Sequence, residues 1–142
     1  MQKILVVEDE ERLRTAIVAY LKAQGTLPIA MSAVQETVTA LDENEVDLVI
    51  LDLQLDNGGG LQLLKYIRDT SHLVRLPVIV MSTWEMEPSS YDYLEPGDYL
   101  MKPFDMRVLN LMMCQLLDLP WEQSPRAYGA SLSRVVSPGV DE

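Results

Sequence analysis

Short apolar runs alternate with amphipathic segments along most of the chain. Five apolar runs are too brief for helices, which predicts strands, and the first, third and fourth runs contain several β-branched residues, as expected of strands buried on both faces of a sheet. They lie at 3–7, 27–31, 47–51, 77–81 and 99–101. Between them, apolar residues three and four positions apart predict helices. This alternation predicts an α/β fold built on one parallel sheet with right-handed crossovers.

The helices are marked by their apolar faces and by signals at their ends. Ser32 opens a capping-box pattern, Ser32-Ala33-Val34-Gln35, before the second helix. Gly25 is placed to end the first helix, and Asp105 to cap the last one, which we expect to reach about Leu119. The inward-facing residues of the first three helices are Leu13, Ile17, Tyr20, Leu21, Val34, Val38, Leu41, Leu63, Leu64 and Ile67.

Pro28 indicates how the strands are arranged. A proline cannot donate to a strand ladder, so the second strand belongs at an edge of the sheet. This suits a flavodoxin-like, doubly wound, five-stranded parallel sheet of order 2-1-3-4-5 with helices on both faces. In such sheets, ligands bind beyond the carboxyl ends of the strands, where strands 1 and 3 diverge.

Two segments depart from the alternating pattern. Residues 84–97 contain Pro88, Ser89, Ser90, Pro96 and Gly97, which favour turns over a regular helix. Residues 120–142 hold three prolines and show no periodicity. We therefore expect one domain over 1–119, followed by a flexible tail or linker over 120–142.

The charge balance narrows the possible partners. With 22 acidic and 11 basic residues, the net charge is −11, which disfavours direct binding of nucleic acid and favours magnesium or a basic partner. The single Cys114 excludes an intramolecular disulfide. Because neither a signal peptide nor a membrane-length apolar run is evident, we expect a soluble, cytoplasmic protein without membrane contact.

Chemically active side chains follow four of the strands. Glu8 and Asp9 come after strand 1, and Asp52 after strand 3. Strand 4 adds Ser82, and strand 5 adds Lys102. Crowded carboxylates raise one another's pKa unless a cation lies among them. Lys102 can supply a positive charge, and Mg²⁺ suits a few carboxylates with retained waters and phosphate oxygens.

Each of these residues also has an ordinary structural interpretation. The acidic residues after strand 1 could simply favour a helix N-terminus. Ser82 could be a turn residue, and Lys102 a solvated charge. Asp52 is harder to explain in this way, because an acid after the apolar sequence LVIL lies close to a desolvated core. The combination of all these groups at one rim is what indicates a site.

The sequence resembles the response-regulator receiver domain of bacterial two-component signalling, the CheY-like family. The resemblance covers residues 1 to about 118. It rests on the stretches KILVVEDE, DLVILDLQL, PVIVMST and DYLMKPF, which are specific in combination.

The resemblance implies a phosphorylation-activated switch that is not a metabolic enzyme. Asp52 would accept a phosphoryl group from a histidine kinase or phosphotransfer protein, or from a small phosphodonor. Asp9 and Asp52 would bind Mg²⁺ directly, Glu8 through water, and Gln54 through its backbone carbonyl.

The resemblance also assigns the residues around the acceptor. Lys102 would pair with the phosphoryl group, and Ser82 would hydrogen-bond one of its oxygens. Thr83 and Tyr99 would be switch residues that respond to it. Independently of the resemblance, Trp84 lies two residues past Ser82 at the mouth of the site. We expect its bulk to hinder the access of water and prolong the acyl phosphate, with Gln54 as the alternative determinant of that lifetime.

The sequence departs from the family pattern near the acceptor and before the last strand. Asp56 stands where a proline is usual, and the following Asn57-Gly58-Gly59-Gly60 favours a more mobile loop. Thr83 replaces a smaller residue. The stretch from Ser82 to Lys102, which helps form the output surface in the family, is shorter than usual.

Four other kinds of protein share part of this pattern. A haloacid dehalogenase-type phosphatase needs a second acid where Gln54 stands, and a nucleotide-binding domain would not place acids after strand 1. A Ser-Lys hydrolase needs a neutral lysine, which the crowded acids oppose. A receiver-like interaction module that is never phosphorylated remains the serious alternative.

The last helix carries apolar residues on more than one face. Leu109, Met112, Met113 and Leu116 form the stripe predicted to dock on the sheet. Val108, Leu111 and Leu119 fall partly outside this stripe, and we expect them to be covered. A two-fold homodimer through this helix is the favoured cover; the tail, through Trp121 and Tyr128, is the alternative.

Overall fold

A computed structural model of the chain describes residues 1–83 and 97–119. The predictions for the turn-rich segment therefore lie outside the described residues, apart from Gly97, whose N–H donates to the carbonyl of Val78 at 2.7 Å. Trp84 and the predicted tail over 120–142 also lie outside them.

The described elements follow the predicted alternation of strands and helices. The strands are β1 (Lys3–Val7), β2 (Leu27–Met31), β3 (Leu48–Asp52), β4 (Val78–Ser82) and β5 (Asp98–Met101). The helices are α1 (Glu11–Ala23), α2 (Val34–Glu43), α3 (Gly59–Asp69) and α4 (Met106–Leu116), with short 3₁₀ turns at Asp56–Gly58 and Ser71–Leu73.

The strands form one five-stranded parallel sheet of order β2-β1-β3-β4-β5, which confirms the prediction. Pro28 lies on the edge strand β2, opposite Ile4 of β1. The central strands β3 and β4 are buried along their whole length. This is the burial expected of parallel strands that are covered by helices on both faces.

Successive strand residues point to opposite faces of the sheet and divide the core in two. In β1, Leu5 and Val7 face a cluster shared with α2 and α3. Ile4 and Val6 face a second cluster, to which α1 contributes Ile17 and Leu21 and α4 contributes Leu109 and Met113. The sheet is thereby held rigidly between two helical layers, with its carboxyl rim facing out.

The ends of α1 and α2 test the predicted capping signals. Gly25 follows α1 with φ 90°, the left-handed region that favours glycine, so its role in ending the helix is confirmed. The capping box predicted at Ser32 is wrong. The N-cap of α2 is Ala33, without a side-chain cap, and Glu36 accepts a hydrogen bond from the Ser32 N–H at 3.1 Å.

The glycine-rich stretch, expected to form a more mobile loop, contributes two residues to a tightly packed contact. Gly59 and Gly60 are buried in the first turn of α3. A Cβ atom on Gly60 would lie 2.5 Å from the carbonyl oxygen of Asp52 and 2.5 Å from the Cα of Leu53. Only a residue without a side chain lets α3 approach the end of β3 so closely.

The last helix is capped as predicted but is shorter than expected. Asp105 accepts a hydrogen bond from the Arg107 N–H at 2.8 Å. The helix ends at Leu116 and not near Leu119, because Asp118 adopts the left-handed conformation with φ 57°. The Leu119 N–H then donates to the carbonyl of Cys114 at 2.8 Å.

The buried face of α4 differs in part from the predicted stripe. Leu109 and Met113 are buried as predicted, but the other two fully buried residues are Asn110 and Cys114. Val108, expected outside the stripe, packs against the core beside α1 together with Met112 and Leu116. Leu111 and Leu119, which were also predicted to lie partly outside the stripe, are half-buried as well.

No helix within residues 1–83 and 97–119 combines the length and the apolar character needed to cross a membrane.

Candidate functional site

The carboxyl ends of β1, β3 and β4 carry the predicted acids and the hydroxyl to one rim. Asp52 and Ser82 were predicted to follow their strands, but each is the last residue of its strand. Asp52 pairs in register with Met81, and Ser82 with Met101. Their backbones are therefore fixed by the sheet and not by a loop.

Three carboxylates converge beside β1 and β3. Glu8, Asp9 and Asp52 each offer an oxygen that lies within 4.8 Å of the others. Glu8 is 1% exposed and Asp52 2% exposed, whereas Asp9 is open to solvent. Oxygen ligands of this kind, with one side open for water and phosphate, fit a small, hard cation such as Mg²⁺.

Lys102 reaches into this acidic cluster from the end of β5. Its Nζ lies 2.9 Å from Glu8 Oε1 and 3.4 Å from Asp52 Oδ1. Burial raises the pKa of Glu8, and the hydrogen bond from Lys102 opposes that shift. Burial alone would lower the pKa of Lys102, but its hydrogen bond to Glu8 and the charge of Asp52 outweigh burial and raise it. Lys102 is therefore a fixed cation and a poor base, which argues against the Ser-Lys hydrolase.

Main-chain hydrogen bonds hold the loop after β3 against the site. The Gln54 N–H donates to Asp52 Oδ1 at 2.9 Å, and the Leu53 N–H donates to the carbonyl of Met81 at 3.0 Å. Gln54 also uses its side chain, since its Oε1 accepts from the Thr83 N–H at 3.0 Å. The sequence indicated a backbone and an access role for Gln54, but not this contact with Thr83.

Arg14 is a residue near the site that the sequence analysis missed. Its Nη1 donates to the carbonyl of Glu8 at 2.9 Å, and the Glu10 N–H donates to Glu8 Oε2 at 3.1 Å. Together these bonds fix both the main chain and the carboxylate of Glu8. The available signal was weak: a basic residue on the first turns of α1, close enough to fold back on the preceding loop.

The predicted switch residues lie on or directly after β4 and β5, and their surroundings differ. Ser82 is buried at the rim, and its carbonyl accepts from the Lys102 N–H at 2.8 Å. Tyr99 is half-buried and packs against the cluster beneath α2 and α3. Thr83 is half-buried directly after β4. The structure thus brings together Glu8, Asp9, Asp52 and Lys102. Gln54 links this cluster to Thr83.

The fold and this arrangement of groups define a class of signalling domain. The sequence matches the response regulator receiver domain over residues 4–113. The chain therefore belongs to this family. Receiver domains are phosphorylation-activated switches of two-component signalling; they interact with histidine kinases or phosphotransfer proteins and bind Mg²⁺ at an acidic pocket.

Individual relatives agree with the family assignment. The phosphate regulon transcriptional regulatory protein PhoB of Escherichia coli (strain K12) is 33% identical over 110 residues, which cover 76% of this chain and 48% of PhoB. The KDP operon transcriptional regulatory protein KdpE of the same strain is 34% identical over 106 residues, which cover 73% of this chain and 46% of KdpE. The chain thus spans about half the length of these curated relatives.

Solved structures show the same fold. The receiver domain of NtrX from Brucella abortus is 26% identical with a TM-score of 0.74, over 82% of this chain and 99% of that one. The chemotaxis response regulator CheY4 of Vibrio cholerae is 22% identical with a TM-score of 0.75, over 82% of this chain and 99% of CheY4.

Proposed function

We propose that Asp52 is the phosphoryl acceptor of this receiver domain. The observation that carries the proposal is the position of Lys102, whose ammonium group lies 3.4 Å from Asp52 Oδ1 in a cluster of carboxylates. A cation held at that distance attracts an incoming phosphoryl group that the acids would otherwise repel. The same arrangement has no purpose in a receiver-like scaffold that is never phosphorylated.

The reaction is a direct transfer from a donor to the carboxylate. An oxygen of Asp52 attacks phosphorus, and the bond from phosphorus to the histidine nitrogen of the partner breaks, with its electron pair remaining on nitrogen. The product is an acyl phosphate. Lys102 stabilises the charge on the transferring group, and the Ser82 hydroxyl donates to one of its oxygens.

The donor set around Asp52 fits magnesium. We assign Asp9 and Asp52 as direct ligands and the backbone carbonyl of Gln54 as a third. Glu8 is assigned an indirect role through water, since its carboxylate is buried and already accepts from Lys102 and from the Glu10 N–H. When bound, Mg²⁺ neutralises charge shared between the acceptor carboxylate and the phosphoryl oxygens.

The residues after β4 and in β5 are proposed to convert phosphorylation into a conformational change. Ser82 would move toward the phosphoryl group, and Thr83 and Tyr99 would follow. Gln54 and Trp84 would limit the access of water and so set the lifetime of the acyl phosphate.

The partners of the chain follow from the same proposal. The phosphoryl donor would be a histidine kinase or a phosphotransfer protein, and we propose that the chain acts in the cytoplasm. PhoB and KdpE are transcriptional regulatory proteins, but the net charge of −11 argues against direct contact of this chain with nucleic acid. We also propose that its catalysis is confined to its own phosphorylation and dephosphorylation.

The proposal is tested by phosphorylation with acetyl phosphate and mapping of the modified residue by mass spectrometry. We expect modification of Asp52 alone, dependent on Mg²⁺ and abolished in Asp52→Asn. Asp56→Asn is a matched control, because Asp56 lines the same surface cavity as Asp9 but is not one of the three clustered acids. Phosphate that persists in Asp52→Asn, or after chelation of the metal, would show that the acceptor is elsewhere. Absence of modification in the unaltered protein would favour the unphosphorylated interaction module.

A further inference from the structure

Gln54 contacts two parts of the site that are far apart in sequence. Its main-chain N–H donates to Asp52 Oδ1 at 2.9 Å. Its side-chain Oε1 accepts from the Thr83 N–H at 3.0 Å, across 29 positions of sequence. One residue thus binds both the acceptor carboxylate and the main chain directly after Ser82.

The Thr83 N–H has a special position in the main chain. β4 ends at Ser82, so Thr83 is the first residue beyond the strand, where the chain leaves the sheet. Its N–H is part-buried and is satisfied by a side chain from another loop. A buried N–H that loses its acceptor is costly, so this contact favours the conformation in which it is made.

From these contacts we infer that Gln54 is a latch that holds the main chain at Thr83 in the resting conformation and releases it when Asp52 is phosphorylated. The inference rests on the proposed role of Asp52. The latch, defined as the hydrogen bond from the Thr83 N–H to Gln54 Oε1, is made while the Asp52 carboxylate is unmodified and holds the Gln54 N–H. Gln54 is in this sense a positioning residue and not a catalytic one.

Phosphorylation changes the partners on both sides of the latch. It converts the Asp52 carboxylate into an acyl phosphate, which weakens the charged acceptor of the Gln54 N–H. It also places new acceptor oxygens at the rim, close to the end of β4. A ligand shifts a two-state equilibrium only through its differential interaction with the two states. The latch stabilises the resting state and therefore opposes the change that phosphorylation favours.

The test compares Gln54→Met with the unaltered chain and with Gln62→Met. Methionine matches glutamine in length but has no carbonyl oxygen to accept from Thr83. Gln62 is an exposed glutamine on α3, so its substitution controls for general effects of the change. Two quantities are measured: hydrogen exchange of the Thr83 amide in the free protein, and the affinity for beryllofluoride, a phosphoryl mimic, in the presence of Mg²⁺.

We expect faster exchange of the Thr83 amide in Gln54→Met and tighter binding of beryllofluoride by about two- to tenfold, which corresponds to the loss of one hydrogen bond of ordinary strength from the resting state. Gln62→Met should match the unaltered chain in both measurements. Unchanged exchange at Thr83 would show that the latch is absent in solution.

Two further results would overturn the inference in different ways. Faster exchange with unchanged or weaker binding of beryllofluoride would show that the contact exists but does not oppose the switch. If the unaltered chain itself fails to bind beryllofluoride, the proposed function fails, and the coupling to phosphorylation fails with it; the amide exchange then still reports whether the hydrogen bond forms.

Discussion

At the scale of single residues, the site holds like charges together at some cost to stability. Asp52 and Glu8 are almost excluded from solvent, and Lys102 contacts both. We expect Asp52→Asn to raise the free energy of unfolding by about 1 kcal/mol without Mg²⁺, because it removes one of the crowded charges. The asparagine oxygen can still accept from the Gln54 N–H.

Lys102→Met tests the opposite change, because it removes the cation and leaves the acids in place. It leaves two buried carboxylates without their cation, and we expect a loss of about 2 kcal/mol; the loss is below that for a fully buried pair because the lysine is partly exposed. Urea unfolding of the unaltered chain, Asp52→Asn and Lys102→Met ranks their free energies of unfolding. Saturating Mg²⁺ should stabilise the unaltered chain more than Asp52→Asn. If Asp52→Asn is the least stable of the three, the carboxylates do not repel one another as argued.

Residues whose position follows from a strand end could be predicted from the sequence, and those that depend on distance between segments could not. Asp52, Ser82 and Lys102 were predicted because an apolar run identifies the strand, and parallel strands share a rim. The contact of Gln54 with Thr83 spans two loops, and that of Arg14 with Glu8 depends on how α1 packs on β1. No local pattern encodes such distances.

At the scale of secondary-structure elements, the approach of α3 to β3 determines where the acceptor lies. Helix propensity alone predicts that Gly60→Ala stabilises the protein, by about 1 kcal/mol. The structure predicts the opposite sign, because the added Cβ would lie 2.5 Å from the main chain of Asp52 and Leu53. We expect a loss of about 2 kcal/mol, in the range of overpacked cores, together with slower phosphorylation of Asp52.

Gly58→Ala is the matched control for this prediction. Gly58 has φ 74°, with open space around the position of a Cβ. Alanine there should lower the free energy of unfolding by only about 1 kcal/mol, because it must adopt the left-handed conformation. Its effect on the rate of phosphorylation should be small. Thermal unfolding and acetyl phosphate kinetics measure both variants. A stabilised Gly60→Ala would mean that α3 can move away from β3 without loss.

The elements themselves could be predicted more reliably than their ends. Short apolar runs located all five strands, although β3 and β4 each begin and end one residue later than predicted and β5 begins one residue earlier, at Asp98. The ends of α2 and α4 were less predictable, because Glu36 and Asp118 act through hydrogen bonds and backbone conformation that compete with the residues chosen from sequence. Capping is a local contribution of about 1 kcal/mol, small enough for neighbouring contacts to override.

At the scale of the whole molecule, the two clusters on either side of the sheet account for most of the apolar residues, which explains why the alternating pattern was sufficient to predict the fold. The buried face of α4 was harder to predict, because apolar residues occur on more than one side of this helix. The structure buries Leu109 and Met113 and leaves Val108, Leu111 and Met112 half-buried. These half-buried side chains retain apolar surface that a further contact would bury.

We predict that a second copy of the chain covers this helix, giving a two-fold dimer. Half-buried apolar side chains gain by further burial, at about 25 cal/mol per Å² of apolar surface, whereas the net charge of −11 on each copy opposes association. The dimer should therefore be weak at low ionic strength and strengthen as salt screens the charge. Light scattering of the full chain, and of a version ending at Leu119, measures the mass at low and at high ionic strength.

We expect both versions to be dimers at high salt. Leu111→Glu should abolish the dimer by placing a charge in the contact. A shortened version that is monomeric but less stable would instead identify residues 120–142 as the cover, and two equally stable monomers would show that α4 needs none.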